Sequence, residues 1–393
     1  MDITDVRANN IKSILNVLRF KEGLTKKEIV SETGLSFSTV SSTCNELKAL
    51  NIVSEQKAAG SGVGRLPNRI SFNGESFCAL CLDLQSQYRM GVSVLDFKNQ
   101  ILHQRFYDIS ECQNAEEIIC YAHTLWKELS YYPQLQNLTC VGIGIAIHGV
   151  FDKKSGTLIA CPFPFFKDIP ILQLITEHFH LPCYIYSKAD FCAISMQHRI
   201  PDADNFIYLH LAEELSAGII CHGNLLIGQS GHGVRIGHLP LGNPERKCPV
   251  QGCHGYGCIE TELSLHGMIC DYKNEVTGIT LRERWQHRLE QLLAAPETEK
   301  EFLEEKSLYL GRLLSVMISI FDPAMVFLGG KGAGLFNIIE PSLIEIVKQR
   351  NPFAFNEGIQ VRWDQDSTQT LYEGIAQVVY EHWMPLSSHP SEL

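Results

Sequence analysis

The sequence predicts two parts: a winged helix-turn-helix over residues 1–72 and a two-lobed α/β body over residues 73–393. Two observations predict this arrangement. A capping signature, a glycine-containing turn and a hydroxyl-rich helix follow one another near the N-terminus, in the order of a helix-turn-helix. Beyond them, apolar strand-like runs alternate with helical stretches, which indicates a layered α/β architecture. The length of 393 residues accommodates two or three domains with ample core.

The charge of the chain is unevenly distributed. The total is −11, yet residues 1–70 hold ten Lys and Arg against seven Asp and Glu, so this part carries +3 and the remainder −14. Such asymmetry is typical of a small module that approaches a polyanion and is attached to an acidic body. No apolar run reaches membrane-spanning length, and the first residues do not have the pattern of a signal peptide. We therefore expect a cytoplasmic protein with reduced thiols and no membrane partner.

Two helices are predicted before the glycine turn. Apolar residues at helical spacing predict the first helix from about Asp5 to Phe20. Thr25 and Glu28 have the spacing of a capping box, which starts a second helix that ends near Gly34.

A third helix and a wing follow. Ser36 is placed to cap the third helix, and a strand over residues 52–56 comes after it. A glycine-rich tip that carries Arg65 and a returning strand then complete a winged helix. The predicted apolar face of the third helix consists of Val40, Cys44, Leu47 and Leu50.

The third helix is the predicted DNA-recognition element. Its exposed face carries small hydroxyl side chains, which a major groove can admit. Lys26, Lys27 and Arg65 are expected to contact phosphates, and the third helix is expected to determine sequence choice. The predicted partner is double-stranded operator DNA; the alternative is a small helical module that binds another protein. The predicted DNA-contacting residues are Lys26, Lys27, Ser36, Phe37, Ser38, Thr39, Ser41, Ser42, Asn45 and Arg65.

The remaining residues alternate between strands and helices. Their repeated strand-strand-strand-helix order indicates two similar lobes with a cleft between them. Strand-like runs occupy residues 77–97, 101–109, 140–152 and 205–228. Helical stretches occupy about 115–130, 170–180, 190–198 and 298–320, and the last leads into a strand with a glycine-rich turn at 321–334.

A histidine and three evenly spaced cysteines predict a metal site. His238, Cys248, Cys253 and Cys258 offer the imidazole and thiolate ligands that tetrahedral zinc prefers. Glycines 252, 255 and 257 allow the chain to turn back, so that ligands close in sequence converge. Three thiolates without an obvious water-activating carboxylate favour a closed structural zinc site. The alternative is a loop of reduced, partly buried cysteines.

Together, these motifs resemble the ROK family of repressors, open reading frames and kinases. That resemblance implies a winged helix before a sugar-kinase-like body of the actin/hexokinase superfamily. It also implies a transcriptional regulator, a repressor of carbohydrate-related genes, that binds a palindromic operator as a dimer or dimer of dimers. The matching N-terminal residues are Arg7, Asn10, Thr25, Glu28, Gly34, Leu35, Ser36, Gly64, Arg65 and Pro67. The matching body segments are 142–152, 237–242 with 252–260, 322–330 and 372–377.

The cysteine spacing departs from that family. Its first two cysteines usually stand one residue apart, but the first position is Gln251 here and the nearest thiol is Cys248. We therefore expect Cys248 to complete the zinc site, with His254 as the substitute ligand.

The kinase motifs of the family are degraded in this chain. Residues 83–87 read Asp-Leu-Gln-Ser-Gln instead of Asp-x-Gly-Gly-Thr, and residues 212–216 place two carboxylates where an anion would lie. An ungapped alignment puts Lys188 at the position of the catalytic Asp. A two-residue slip would make Asp190 the base; otherwise Asp190 is a helix N-terminal carboxylate. We expect no kinase activity. The alternatives are a sugar kinase with an accessory DNA-binding domain and a regulator sequestered by a partner protein.

The sugar pocket is altered as well. The family's Glu-x-Gly-His reads Arg-Ile-Gly-His here, whereas Glu260 matches the third sugar-contacting residue. Lys188 and Arg235 thus stand where the family keeps acidic residues. Two cations facing one cleft favour an anionic sugar derivative as effector. The alternatives are a neutral sugar in another pose and a pocket that binds nothing because Glu213, Glu214 and Glu260 neutralise the cations. The predicted effector-binding residues are Lys188, Arg235, His238 and Glu260.

Overall fold

The structure is a computed structural model. It describes residues 3–21, 23–57, 68–86, 89–147, 149–152, 155–160, 166–229, 234–250, 252–269, 281–353 and 358–383. The predicted wing tip with Gly64, Arg65 and Pro67 lies outside the described residues, as do Gln87 and Gln251. Among the helices that are described, none is both long and apolar enough to cross a membrane.

The N-terminal unit has the predicted winged-helix elements, and its three strands form a sheet in the order β1-β3-β2. Thr25 Oγ1 accepts a hydrogen bond from the Glu28 amide, and the Glu28 carboxylate accepts one from the Thr25 amide at 2.7 Å. The predicted capping box is therefore confirmed. Gly34 ends α2 at a φ of 68°, which favours glycine. The elements are α1 (Ile3–Phe20), β1 (Leu24–Thr25), α2 (Lys26–Thr33), α3 (Phe37–Ala49), β2 (Val53–Lys57) and β3 (Asn68–Phe72).

Helix α3 buries one face against α1 and α2. Val40, Cys44 and Leu47 are buried as predicted, and Thr43 joins them. The prediction for Leu50 was wrong, because Leu50 follows the last helical residue and is 46% exposed. The opposite face of α3 is left accessible.

The first lobe of the body is built on a five-stranded sheet in the order β10-β7-β4-β5-β6. Strands β4, β5 and β6 form an antiparallel meander, and β7 and β10 continue the sheet in parallel. Its elements are β4 (Phe77–Ser86), β5 (Arg89–Asp96), β6 (Ile101–Asp108), α4 (Ala115–Leu129), β7 (Thr139–Ile147), β8 (Val150–Asp152), β9 (Thr157–Ala160), α5 (Ile171–Phe179), β10 (Cys183–Ser187) and α6 (Lys188–Arg199).

The second lobe repeats that topology. Its sheet has the order β13-β12-β11-β14-β15, again with an antiparallel meander followed by two parallel strands. The two matching sheets confirm the predicted pair of lobes, whereas α9 and α11 were not predicted. The elements are β11 (Phe206–Leu211), β12 (Leu215–Cys221), β13 (Asn224–Leu225), α7 (Glu260–Leu263), α8 (Leu265–Ile269), α9 (Leu281–Ala294), α10 (Lys300–Phe321), β14 (Met325–Gly329), α11 (Phe336–Arg350), β15 (Gln360–Trp363) and α12 (Ser367–His382).

Helices α6 and α12 pack against each other between the two sheets. Gly374 of α12 is in such close contact with α6 that a Cβ there would collide with the carbonyl group of Phe191. Arg199 and His198 of α6 pair with Glu373 and Glu381 of α12. The two helices therefore form one block that contacts strands of both lobes.

Arg19, near the end of α1, joins the N-terminal unit to this block. It is 4% exposed, and its guanidinium donates hydrogen bonds to Gln377 Oε1 of α12 and to Asn99 Oδ1 at 2.6 Å. It also lies 5.0 Å from the Phe97 ring centroid and 5.4 Å from that of Tyr380. Burial lowers the pKa of Arg19 to about 10. We call this packed contact around the Arg19 guanidinium the Arg19 joint.

Candidate functional site

The accessible face of α3 is lined by hydroxyl groups that contact one another. Ser36 caps the helix by accepting a hydrogen bond from the Thr39 amide at 3.1 Å. The Ser36 hydroxyl also lies 2.8 Å from the hydroxyls of Ser38 and Thr39. Ser42 and Asn45 continue this face and are exposed. These residues therefore form an accessible polar face with ordered hydroxyls, and its contact with DNA stays a prediction.

Lys26 organises the middle of the same face. Its Nζ donates to Ser41 Oγ and to Asn45 Oδ1, each at 3.1 Å. The ammonium predicted to contact phosphate thus lies against α3, whereas Lys27 is exposed. Arg65, the third predicted phosphate contact, is outside the described residues. Phe37, the first residue of α3, is 53% exposed.

A buried ion pair at the start of α6 was not predicted from the sequence. Lys188 Nζ lies 2.7 Å from Asp83 Oδ1, and the two side chains are 3% and 1% exposed. Lys188 begins α6, and Asp83 lies on β4. For a pocket that binds nothing, the expected partners of Lys188 were Glu213, Glu214 and Glu260. Lys188 instead pairs with Asp83, an internal partner that was not among those expected, and its part in effector binding stays a prediction.

The other predicted cation, Arg235, is exposed and lies near Glu214. Glu260 is 2% exposed and accepts hydrogen bonds from the Leu215 amide at 3.0 and 3.2 Å. Burial, with a smaller contribution from the nearby Glu214 carboxylate, raises the pKa of Glu260 to about 8. Burial and Glu213 raise the pKa of Glu214 to about 7, against the charges of Lys188 and Arg235. At these pKa values both carboxyl groups are at least half protonated at neutral pH, so Asp83 is the group that neutralises Lys188, while Glu214 and Glu260 add little negative charge to the site.

Asp190 has a local role at the start of α6. Ser187 caps this helix: its hydroxyl accepts from the Asp190 amide at 3.1 Å and donates to Asp190 Oδ2 at 2.8 Å. This geometry is that of a helix N-terminal carboxylate, which agrees with the second interpretation of Asp190.

Four side chains converge in the predicted metal-binding loop. The ligand atoms of His238, Cys248, Cys253 and Cys258 all lie within 4.8 Å of one another, and among the described residues no other such group occurs. His238 Nδ1 is 3.7 Å from Cys248 Sγ, and the sulfurs of Cys253 and Cys258 are 3.9 Å apart. Two sulfurs bound to one tetrahedral zinc at about 2.3 Å would be about 3.8 Å apart. The donor set and its spacing therefore fit zinc.

Backbone geometry brings these ligands together. The Cys248 amide donates to the Gly255 carbonyl at 3.0 Å, and the Gly255 amide donates to Cys253 Sγ at 3.4 Å. Gly252 has a φ of 86°, which favours glycine at this turn. The loop between Cys248 and Cys253 thus accommodates the unusual spacing. His254, the substitute ligand, is exposed and is not one of the four.

Glu262 connects this loop to the rest of the second lobe. Its side chain is fully buried and pairs with Arg246 at 3.1 Å and with Lys306 of α10 at 3.4 Å. It also accepts a hydrogen bond from the Asn243 amide at 3.2 Å. The sequence carries no signal for this role, because the partners are 16 and 44 residues away.

Comparison with known proteins identifies the family. The sequence profile of the ROK family matches residues 81–353. The chain belongs to the ROK family. A xylose repressor of Caldicellulosiruptor bescii is 24% identical over 382 residues, which cover 92% of this ROK protein and 94% of that relative.

Solved structures share its fold. A ROK family transcriptional regulator, described as a homolog of the E. coli MLC protein, superposes with a TM-score of 0.77 at 17% identity and covers 95% of this chain and 96% of its own. A ROK family glucokinase from Streptomyces griseus, in complex with glucose and AMPPNP, superposes with a TM-score of 0.61 at 19% identity. It covers 77% of this chain and 98% of its own. The predicted sugar-kinase-like fold of the body is thereby confirmed.

Proposed function

We propose that this ROK protein is a DNA-binding transcriptional regulator, a repressor of carbohydrate-related genes, and that it acts in the cytoplasm. The observation that carries the proposal is the accessible, preorganised face of α3 on a helix-turn-helix that is joined to a ROK body. The similar C. bescii protein is named a xylose repressor, which supports the direction of regulation. The regulator structure covers 95% of the chain and the glucokinase 77%, a difference about the size of the N-terminal unit.

We further propose that the protein binds a palindromic operator as a dimer or dimer of dimers, because two-fold symmetric proteins present two recognition helices to two half-sites. The test is genome-wide mapping of bound DNA, followed by anisotropy titration of the recovered duplex. Ser38→Asp places a carboxylate on the α3 face and should weaken binding at least tenfold. Ser110→Asp, on an exposed position of the body, should not. Equal affinity of the two variants would refute the assigned interface.

We propose that the chain does not catalyse phosphoryl transfer. Such a site needs glycine-rich phosphate loops and a carboxylate base near the sugar hydroxyl. The ungapped alignment puts Lys188 at the base position, and its ammonium pairs with Asp83 on β4. The competing function, a sugar kinase, predicts ATP consumption with some neutral sugar. A coupled assay of the full chain with a sugar panel decides between them, since sugar-dependent ADP release would overturn our proposal.

We also propose that His238, Cys248, Cys253 and Cys258 hold one zinc ion, which would supply a structural crosslink. With all four positions held by protein ligands, no open position remains for a water, which is typical of a structural site. The buried Glu262 would keep the loop in place through Arg246 and Lys306.

A further inference from the structure

A phenyl ring stands at the start of the recognition helix. Phe37 lies three residues before Val40 and thus continues the apolar stripe of α3. At the N-terminal end of the helix, however, the stripe no longer packs in the core, and Phe37 is 53% exposed. Phenylalanine is mostly buried in folded proteins. The first turn of α3 therefore presents an apolar group beside its hydroxyls.

The polar side chains around Phe37 are short and already have partners. Ser36, Ser38 and Thr39 contact one another through their hydroxyls, and Lys26 donates to Ser41 and Asn45. Within residues 37–45 there is no Arg, Lys or Gln, and Asn45 is the single amide. Guanine is most often recognised by a bidentate Arg or Lys, and adenine by Asn or Gln. The first two turns of α3 lack these groups.

Serine and threonine hydroxyls can contact either kind of base and so discriminate little, whereas an exposed phenyl ring can make an apolar contact with the 5-methyl group of thymine. The N-terminal residues of a recognition helix are those that contact base edges. We propose that Phe37 is a specificity-determining residue that packs against a thymine methyl group in each half-site. This inference rests on the proposed function, because it requires that α3 enters the major groove.

The size of the effect follows from one methyl group. Removing a single buried methyl from the interface weakens binding about fourfold. Deoxyuridine removes that methyl and keeps the Watson–Crick edge of thymine. Replacing the contacted thymine in both half-sites should therefore weaken binding about fifteenfold.

The experiment uses a duplex selected from a randomised pool with the full-length protein. Affinities are measured for the thymine duplex and for duplexes with deoxyuridine at one half-site position at a time, with the natural protein, Phe37→Ala and Phe353→Ala. Phe353 is 82% exposed on the body and is the matched control. We expect one position at which the natural protein and Phe353→Ala prefer thymine about fourfold, and at which Phe37→Ala binds both duplexes equally.

Three outcomes would count against the proposal in different ways. If Phe37→Ala retains the thymine preference, another residue contacts the methyl group. If the natural protein binds the selected duplex without any thymine preference, the inference is wrong although DNA binding stands. If no duplex is selected at all, the proposed function itself fails. Equal melting temperatures of the two variants exclude misfolding as the cause.

Discussion

The first prediction concerns the loss of stability when the buried pair of Lys188 and Asp83 is broken. Both side chains are at most 3% exposed, and 2.7 Å separates Nζ from Oδ1. Removing one partner of a buried ion pair typically costs about 3–5 kcal/mol, because the other charge remains uncompensated. Lys188→Met should therefore lower the melting temperature by about 6–10 °C, at about 2 °C per kcal/mol for a chain of this size.

A double-mutant cycle separates this coupling from lost packing. Asp83→Asn alone should also destabilise, whereas Lys188→Met with Asp83→Asn should recover most of the loss, since neither charge is then unpaired. The matched control is the pair of Lys48 and Glu55, which has the same 2.7 Å separation but a lysine side chain that is 51% exposed. Lys48→Met should cost at most about 1 kcal/mol.

The assay is thermal unfolding of the full chain by fluorimetry, with melting curves for all variants in one buffer. The reasoning is refuted if Lys188→Met is no more destabilising than Lys48→Met. It is also refuted if the double variant loses as much stability as the two single variants together, because the two charges would then not compensate each other.

Three further predictions concern the metal loop, the cleft and the joint. Elemental analysis should find one zinc per chain in the natural protein and none in Cys258→Ser. This variant should also melt at a lower temperature, because a structural metal contributes folding free energy. A metal-free natural protein would contradict the prediction. Burial raises the pKa of Glu214 from 4.5 to about 7, so the folded protein keeps a proton that the unfolded chain releases, and stability should fall as pH rises from about 4.5 to about 7. Urea midpoints of Glu214→Gln across this range should show a smaller fall than those of the natural protein. Arg19→Ala should cost about 1–3 kcal/mol for each acceptor it leaves unpaired, whereas Arg7→Ala, which breaks an exposed pair with Glu46, should cost at most about 1 kcal/mol in the same melting assay.

Features that depend on neighbouring residues could be predicted from the sequence. The capping box of Thr25 and Glu28 and the left-handed Gly34 are local, and so is the convergence of the four metal-loop residues. Features that depend on distant contacts could not. The partner of Lys188 is 105 residues away in the sequence, on a strand of the first lobe.

The missed helices have physical explanations too. Helix α11 contains Pro341 in its second turn, a residue that ordinarily marks the end of a helix. Helix α9 is rich in charged residues, yet Trp285 is 1% exposed and its indole donates to the Lys331 carbonyl at 2.7 Å. In both cases packing against the second lobe outweighs the local sequence signal.

The Arg19 joint bears on the geometry of DNA binding. The chain passes from β3 to β4 within residues 73–76, three of which form a 3₁₀ turn, and the guanidinium of Arg19 fastens α1 to α12. The unit that carries the recognition helix is thus joined to the body by a short connection and by the packed contact of Arg19. In a dimer, the distance between the two recognition helices would be set by how the two bodies pair. The half-site spacing of the operator would then depend on contacts between the bodies, far from any residue that contacts a base.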